Sequence, residues 1–246
     1  MNTGNPVLSE KNFNSAAVPF GAQMTIEGVV NKSFLMLGLV VLSAFFVWNK
    51  FFTTGDYGTV STLMMVGVIG GLIAAVVTVF KPTMARFSAP AYAVLEGLAL
   101  GGISAMMEAS YPGIVFQAVS LTFAVFFSLL AIYKAGWIRV TEKFKMMVFA
   151  ATAGIAVAYF IDMILMFFGI RIPMIHEGGF FGILFSLFVV GLAAMNLVLD
   201  FDFIENAARR GAPQYMEWYG AFGLMVTLIW LYIEILRLLS KLQSRD

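Results

Sequence analysis

Residues 58–80 read GTVSTLMMVGVIGGLIAAVVTVF, an apolar stretch without a single charged side chain. At about 1.5 Å of rise per residue, a helix of this length covers roughly 30 Å of hydrocarbon. Backbone groups in lipid must be satisfied within the chain, and a helix does this inside one segment. The stretch is therefore expected to be a transmembrane helix. Six more such stretches flank it. Residues 33–52 precede it. Residues 87–107 follow with Glu96 inside and Glu108 just beyond. Residues 114–133 carry no charge, residues 146–170 carry Asp162, and residues 178–201 end near Asp200. Residues 218–240 carry Glu234 and Arg237 and form the least apolar stretch, which suits a late or central helix. The expected fold class is an all-α membrane bundle of seven transmembrane helices. A polar segment at 1–32 precedes the bundle at 33–240, and a short polar tail follows at 241–246.

Composition agrees. The 246 residues are 61% hydrophobic and 12% charged, whereas soluble domains carry about 25% charged residues. With so little charge, most helices have no face for water, and the lipid bilayer is the first expected partner. There is no cysteine, which excludes disulfides, thiol catalysis and thiolate zinc sites. A net charge of +1 argues against nucleic acid as a partner. The first 32 residues mix Glu10, Lys11, Glu27 and Lys32 and have no apolar core of a signal peptide. The first span is expected to act as the insertion signal.

Lys and Arg set the expected orientation. Ten of them, Lys11, Lys32, Lys81, Arg86, Lys134, Arg139, Lys143, Lys145, Arg209 and Arg210, fall on the N-terminal side of the spans. Five, Lys50, Arg171, Arg237, Lys241 and Arg245, fall on the other. The N-terminus is expected in the cytoplasm and, with seven spans, the C-terminus outside. The longest connections are 134–145 and 202–217.

Within the spans, Gly67 and Gly71, and likewise Gly97 and Gly101, stand four residues apart. This spacing lets helices approach closely. Plain packing is the expected role, with a substrate path along the glycines as the alternative. His176, the only histidine, falls in a short outer loop with Arg171 and Glu177 and is expected to be solvated. No nucleophile–base set is visible. No enzyme activity and no cofactor are expected.

The acids inside the spans carry the functional reading: Glu96, Asp162, Asp200 and Glu234. An ionised carboxylate in hydrocarbon costs roughly 3 kcal/mol even on the lower scales. Each is expected to face the bundle interior, to find a partner or to be protonated. Counted along their helices, Glu96 and Asp200 fall in one layer and Asp162 and Glu234 in the other. Stacked carboxylates suit a cation path, and acids sharing a site titrate at split, raised values. The structural alternative is that each acid pairs with Arg86, Arg237 or a backbone group. Asp202 and Glu205 read as interface residues.

Several motifs resemble a bacterial branch of the Bax inhibitor-1 family. They are Gly4-Asn5-Pro6, Met24-Thr25-Ile26-Glu27-Gly28-Val29-Val30-Asn31-Lys32, and Tyr92-Ala93-Val94-Leu95-Glu96-Gly97-Leu98-Ala99-Leu100-Gly101. To these add Tyr111-Pro112-Gly113-Ile114-Val115, Thr141-Glu142-Lys143-Phe144 and Leu197-Val198-Leu199-Asp200-Phe201-Asp202-Phe203-Ile204-Glu205. The resemblance implies seven helices with the seventh enclosed by the others, and a pH-dependent calcium leak; eukaryotic members are associated with suppression of cell death. It also implies two functional aspartates, one on helix six and one on helix seven. Asp200 matches the first. Glu234, in Leu231-Tyr232-Ile233-Glu234-Ile235, is the best match to the second. It departs in being Glu, in standing 34 residues from Asp200, and in falling in the other layer, so Glu96 remains the alternative partner of Asp200.

The expected function is thus a proton-gated cation leak, with calcium as permeant ion, in a bacterial inner membrane. Its path acids are Asp200, Glu234, Glu96 and Asp162, with Asp202 and Arg86 secondary. Calcium, a hard cation that prefers oxygen ligands, is expected near Asp200 and Glu96, and no resident metal site is assigned. The competing reading is a non-transporting scaffold that binds and regulates other membrane proteins.

Overall fold

A computed structural model describes residues 23–170 and 172–244. Gly4-Asn5-Pro6, Glu10, Lys11, Arg171 and Arg245 lie outside the described residues. Seven long helices account for nearly all the rest: α1 (Ile26–Thr54), α2 (Tyr57–Phe80), α3 (Ala85–Ser110), α4 (Ile114–Lys134), α5 (Glu142–Phe167), α7 (Phe180–Arg209) and α8 (Met216–Gln243). A 3-10 turn at Pro82–Met84 leads into α3, and the four-residue α6 (Pro173–His176) lies between α5 and α7. All seven long helices are long and apolar enough to cross a membrane. The protein is an all-α membrane bundle; the only β pairing among the described residues is an isolated bridge between Gln23 and Pro213.

The helices outrun the apolar stretches. α1 starts at Ile26, not near residue 33, and α7 continues to Arg209, past residue 201. Hydropathy marks where lipid ends, whereas caps mark where a helix ends. The Thr25 side chain accepts from the Gly28 N–H, and the Thr141 side chain from the Phe144 N–H. Asp56 caps α2 by accepting from the Thr59 hydroxyl and N–H, and these bonds hold its carboxyl below the usual carboxylate range. α1 closes on Gly55, whose φ of 60° is the left-handed conformation typical of a helix end.

The described residues form two compact units. One contains residues 23–112 and 203–226. Its helices approach through the glycines, at two separate seams. On α2, a Cβ at Gly67 would lie 2.6 Å from the Leu95 carbonyl oxygen and the Ala99 nitrogen of α3. On α3, a Cβ at Gly97 would lie 2.5 Å from the Val40 carbonyl oxygen of α1, and one at Gly101 would lie 2.8 Å from the Ala44 Cα. No side chain larger than hydrogen fits there, so these glycines pack helices. The residues before α1 are fixed to the start of α8. Met24 N–H donates to the Ala212 carbonyl at 2.7 Å, and Glu217, 2% exposed, accepts from Thr25 and Lys32.

The other unit contains residues 113–170, 172–202 and 227–244. Here α5 and α7 run antiparallel with contacts every seven residues of α5. Lys145 meets Asp202, Thr152 meets Asn196, and the Tyr159 ring meets Phe185. A second stripe one turn on, Val148 and Ile155, packs with Val189, Leu192 and Leu199 of α7. A repeat of seven is the packing of helices crossing at a shallow angle. The opposite face of α5 presents Met146, Val157, Ile161 and Ile164, all exposed, as a helix facing lipid must. α8 is the most buried of the seven, with 56% of its apolar window buried against 17–22% for α1, α2, α4 and α5.

Candidate functional site

The second unit carries a ladder of polar side chains through otherwise apolar helices. At the start of α5, Lys145 pairs with Asp202 at 3.0 Å and with Glu142 at 3.4 Å. Asp200, half a turn before Asp202, is fully buried. Asn196, one turn earlier, donates to the Thr152 hydroxyl at 2.8 Å and to the Leu192 carbonyl at 2.9 Å. Farther along stands Glu234 of α8, 1% exposed. It accepts from the Tyr159 hydroxyl at 2.9 Å, from the Trp230 indole at 3.3 Å and from the Arg237 guanidinium at 3.1 Å and 3.2 Å. Arg237 also donates to the Tyr159 hydroxyl at 2.7 Å and lies 5.0 Å from the centre of that ring. One turn on, Lys241 donates to the Ser186 hydroxyl at 2.8 Å and to the Gly182 carbonyl at 3.0 Å.

These contacts settle how Glu234 stands to Asp200. If Lys241 is level with Gly182 and Ser186, antiparallel α7 and α8 place Glu234 level with about residue 191. That is about 13 Å along the axis from Asp200 at the ordinary helical rise. Glu234 is satisfied by Tyr159, Trp230 and Arg237, and Asp200 is not among its hydrogen-bond partners. No direct carboxyl pair forms between Asp200 of α7 and Glu234 of α8.

The layer expected for Asp162 and Glu234 does not join them in a bond. Both acids are buried, yet each has its own partner. Asp162 binds the His176 Nε2 at 2.8 Å and 3.0 Å and accepts weakly from the Ile172 N–H at 3.4 Å. His176, expected to be merely solvated, therefore ties α6 to α5. Arg86 stands apart from these acids. It is exposed, lies 4.7 Å from the Phe87 ring centre, and pairs with none of the four acids.

Glu96 belongs to the first unit. It is half-buried, hydrogen-bonds Tyr92 one turn before it, and lies over Gly71 of α2, whose hypothetical Cβ would be 3.5 Å from its carboxyl carbon. Gly71 thus leaves room for a carboxylate inside the α2–α3 seam. Among the described residues, no group of three or more His, Asp or Glu could hold a metal ion.

Sequence reasoning missed Tyr159, Thr152, Asn196, Ser186 and the role of His176. A signal existed in α5, where Lys145, Thr152 and Tyr159 repeat at seven, as do Val148, Ile155 and Asp162.

No curated protein and no solved structure matches the chain at a significant level. The sequence profile of a family described as Bax inhibitor 1 like, by contrast, matches residues 5–244. With seven membrane-length helices and a match over nearly its whole length, the chain belongs to the Bax inhibitor-1 family.

Proposed function

We propose that the protein is a pH-sensitive cation leak of a bacterial inner membrane, with calcium the permeant ion and protonation of Asp200 the gate. The observation that carries this is Asp200 itself, an acid with no exposed surface on a membrane-spanning helix. An acid held there carries a solvation cost that only partners, protonation or a passing cation offset. Family membership supports the choice of a calcium leak. The reading involves no catalysis and no cofactor. It sets the N-terminus in the cytoplasm, following the excess of Lys and Arg on that side.

The test is calcium uptake into liposomes at equal protein content, over a pH series from about 6 to 8. Asp200→Asn keeps the side-chain size and removes the titration. It should insert and fold as the parent does but lose most of the pH dependence of its flux. An unchanged flux and profile would remove Asp200 from the mechanism.

One observation favours the scaffold reading. Glu234, Asp162 and Asp202 each have a basic partner, as structural ion pairs would. A scaffold would tolerate Asp200→Asn and show no calcium flux in either protein.

A further inference from the structure

Residues 135–141 join α4 to α5, two helices of membrane-spanning length. At no more than about 3.5 Å per residue, so short a link stays at the bilayer surface. Both of its ends are fixed. At the α4 end the Gly136 N–H donates to the Tyr133 carbonyl at 3.0 Å and the Trp137 N–H to the Ile132 carbonyl at 3.2 Å, with Gly136 left-handed at a φ of 73°. In such a turn the residue in the place of Trp137 commonly packs back on the helix. Trp137 is instead 80% exposed. At the other end Val140 packs against the core between α5 and α7, Thr141 caps α5, and Asp202 holds Lys145. Between these anchors Lys134, Arg139 and Lys143 are exposed alongside Trp137. Glu142, the one acid in residues 134–145, pairs with the buried Lys145. The outward side of the link thus sets an indole among three cations.

We propose that this link is a docking site for anionic phospholipid headgroups, with the Trp137 indole at the headgroup boundary and Lys134, Arg139 and Lys143 on the lipid phosphates. An indole has an apolar body and one N–H donor, which suits the boundary between water and hydrocarbon. Basic side chains at that depth draw anionic lipid, and the attraction falls off within a Debye length. A link held at the surface by both ends keeps its cations within that range of the headgroups, which favours a lipid over a soluble acidic partner. The inference does not depend on the leak reading.

The experiment uses brominated lipid, which quenches a tryptophan that it touches. The full chain is placed in phosphatidylcholine vesicles containing brominated phosphatidylglycerol or, in parallel, brominated phosphatidylcholine. Subtracting the emission of Trp137→Phe isolates Trp137 from Trp48, Trp218 and Trp230. Phosphatidylglycerol should be preferred at Trp137 by at least about fivefold, the worth of one basic residue near a charged surface. High salt should reduce the preference. Lys134→Gln, Arg139→Gln and Lys143→Gln together should abolish it. Lys81→Gln with Arg86→Gln, in the first unit, should leave it as in the parent. All the substituted side chains are exposed, so the variants should fold as the parent does. Equal quenching by the two lipids, or none by either, overturns the proposal. So does a preference that survives the triple variant. Loss of preference in the Lys81 and Arg86 variant as well would trace it to net charge and remove the site. Relief of quenching by added glycerol phosphate would make the link a site for soluble phosphates and overturn the lipid assignment.

Discussion

Glu217→Ala should be among the most destabilising single changes in the first unit. Its carboxylate is 2% exposed and accepts from the Thr25 N–H at 2.9 Å and the Thr25 hydroxyl at 3.0 Å, and it pairs with Lys32. Thr25 in turn caps α1 by accepting from the Gly28 N–H at 2.9 Å. A hydrogen bond to a charged group is worth about 1.5–3 kcal/mol net. Breaking a buried ion pair from one side costs about 3–5 kcal/mol. The Lys32 side chain is 20% exposed and recovers some hydration once released, so the lower end, about 3 kcal/mol, is expected. For a chain of this size each kcal/mol moves Tm by roughly 2–4 °C, which gives a fall of about 6–12 °C. Helicity followed on heating in one fixed detergent measures it. Glu217→Gln still accepts from Thr25 and should lose less. Lys32→Met strands the carboxylate and should lose a comparable amount, and the double variant should fall short of the sum by at least about 1 kcal/mol. A Tm for Glu217→Ala within about 2 °C of the parent, with additive singles, would refute the clasp.

Gly101→Ala forces a Cβ to 2.8 Å from the Ala44 Cα and should cost about 1–3 kcal/mol by overpacking. Gly154→Ala has nothing within 4 Å of its new Cβ and should be neutral or stabilising by up to about 1 kcal/mol of helix propensity; equal Tm shifts for the two would refute the seam argument. A single cysteine replacing Ile138 is the only thiol in the chain and should resist a membrane-impermeant maleimide in intact cells, whereas labelling from outside would reverse the orientation.

The sequence made the number of helices legible because each span is a single uninterrupted hydropathy signal. It did not make the helix ends legible. α1 starts at Ile26 because Thr25 caps it and Glu217, 192 residues away in the chain, holds Thr25. No local pattern encodes a contact at that separation. The glycine pairs were legible as close packing, but not their partners. Gly67 faces α3, while Gly97 and Gly101 face α1. The contact between Gln23 and Pro213 places the residues before α1 and those before α8 on one face of the first unit. Six spans lie between those points, and an even number of crossings requires the same face.

The candidate site was legible in its acids and in Arg237, which does pair with one of them, and illegible in the neutral donors around them, for a physical reason. The cost of a bare carboxylate in lipid makes every intramembrane acid conspicuous by itself. Its partner need only supply a donor, and donors such as the Tyr159 hydroxyl, the Trp230 indole and the Ile172 N–H are unremarkable in a sequence. Layer counting therefore set Glu234 beside Asp162, although Arg237, three residues along the same helix, already neutralises Glu234. The heptad in α5 carries more information than depth does. Asp162 follows Val148 and Ile155 at intervals of seven, so the stripe that buries those two side chains against α7 also turns Asp162 inward. An acid on such a stripe must be satisfied from a neighbouring segment, and the side chain that does so, fourteen residues on, is His176. By the same logic Asp200, fully buried on α7, stands between the level set by Asp202 and Lys145 and the level set by Asn196 and Thr152. Glu142 and Asp202 already share Lys145, so a change of charge at Asp200 alters the balance of that whole end of the unit.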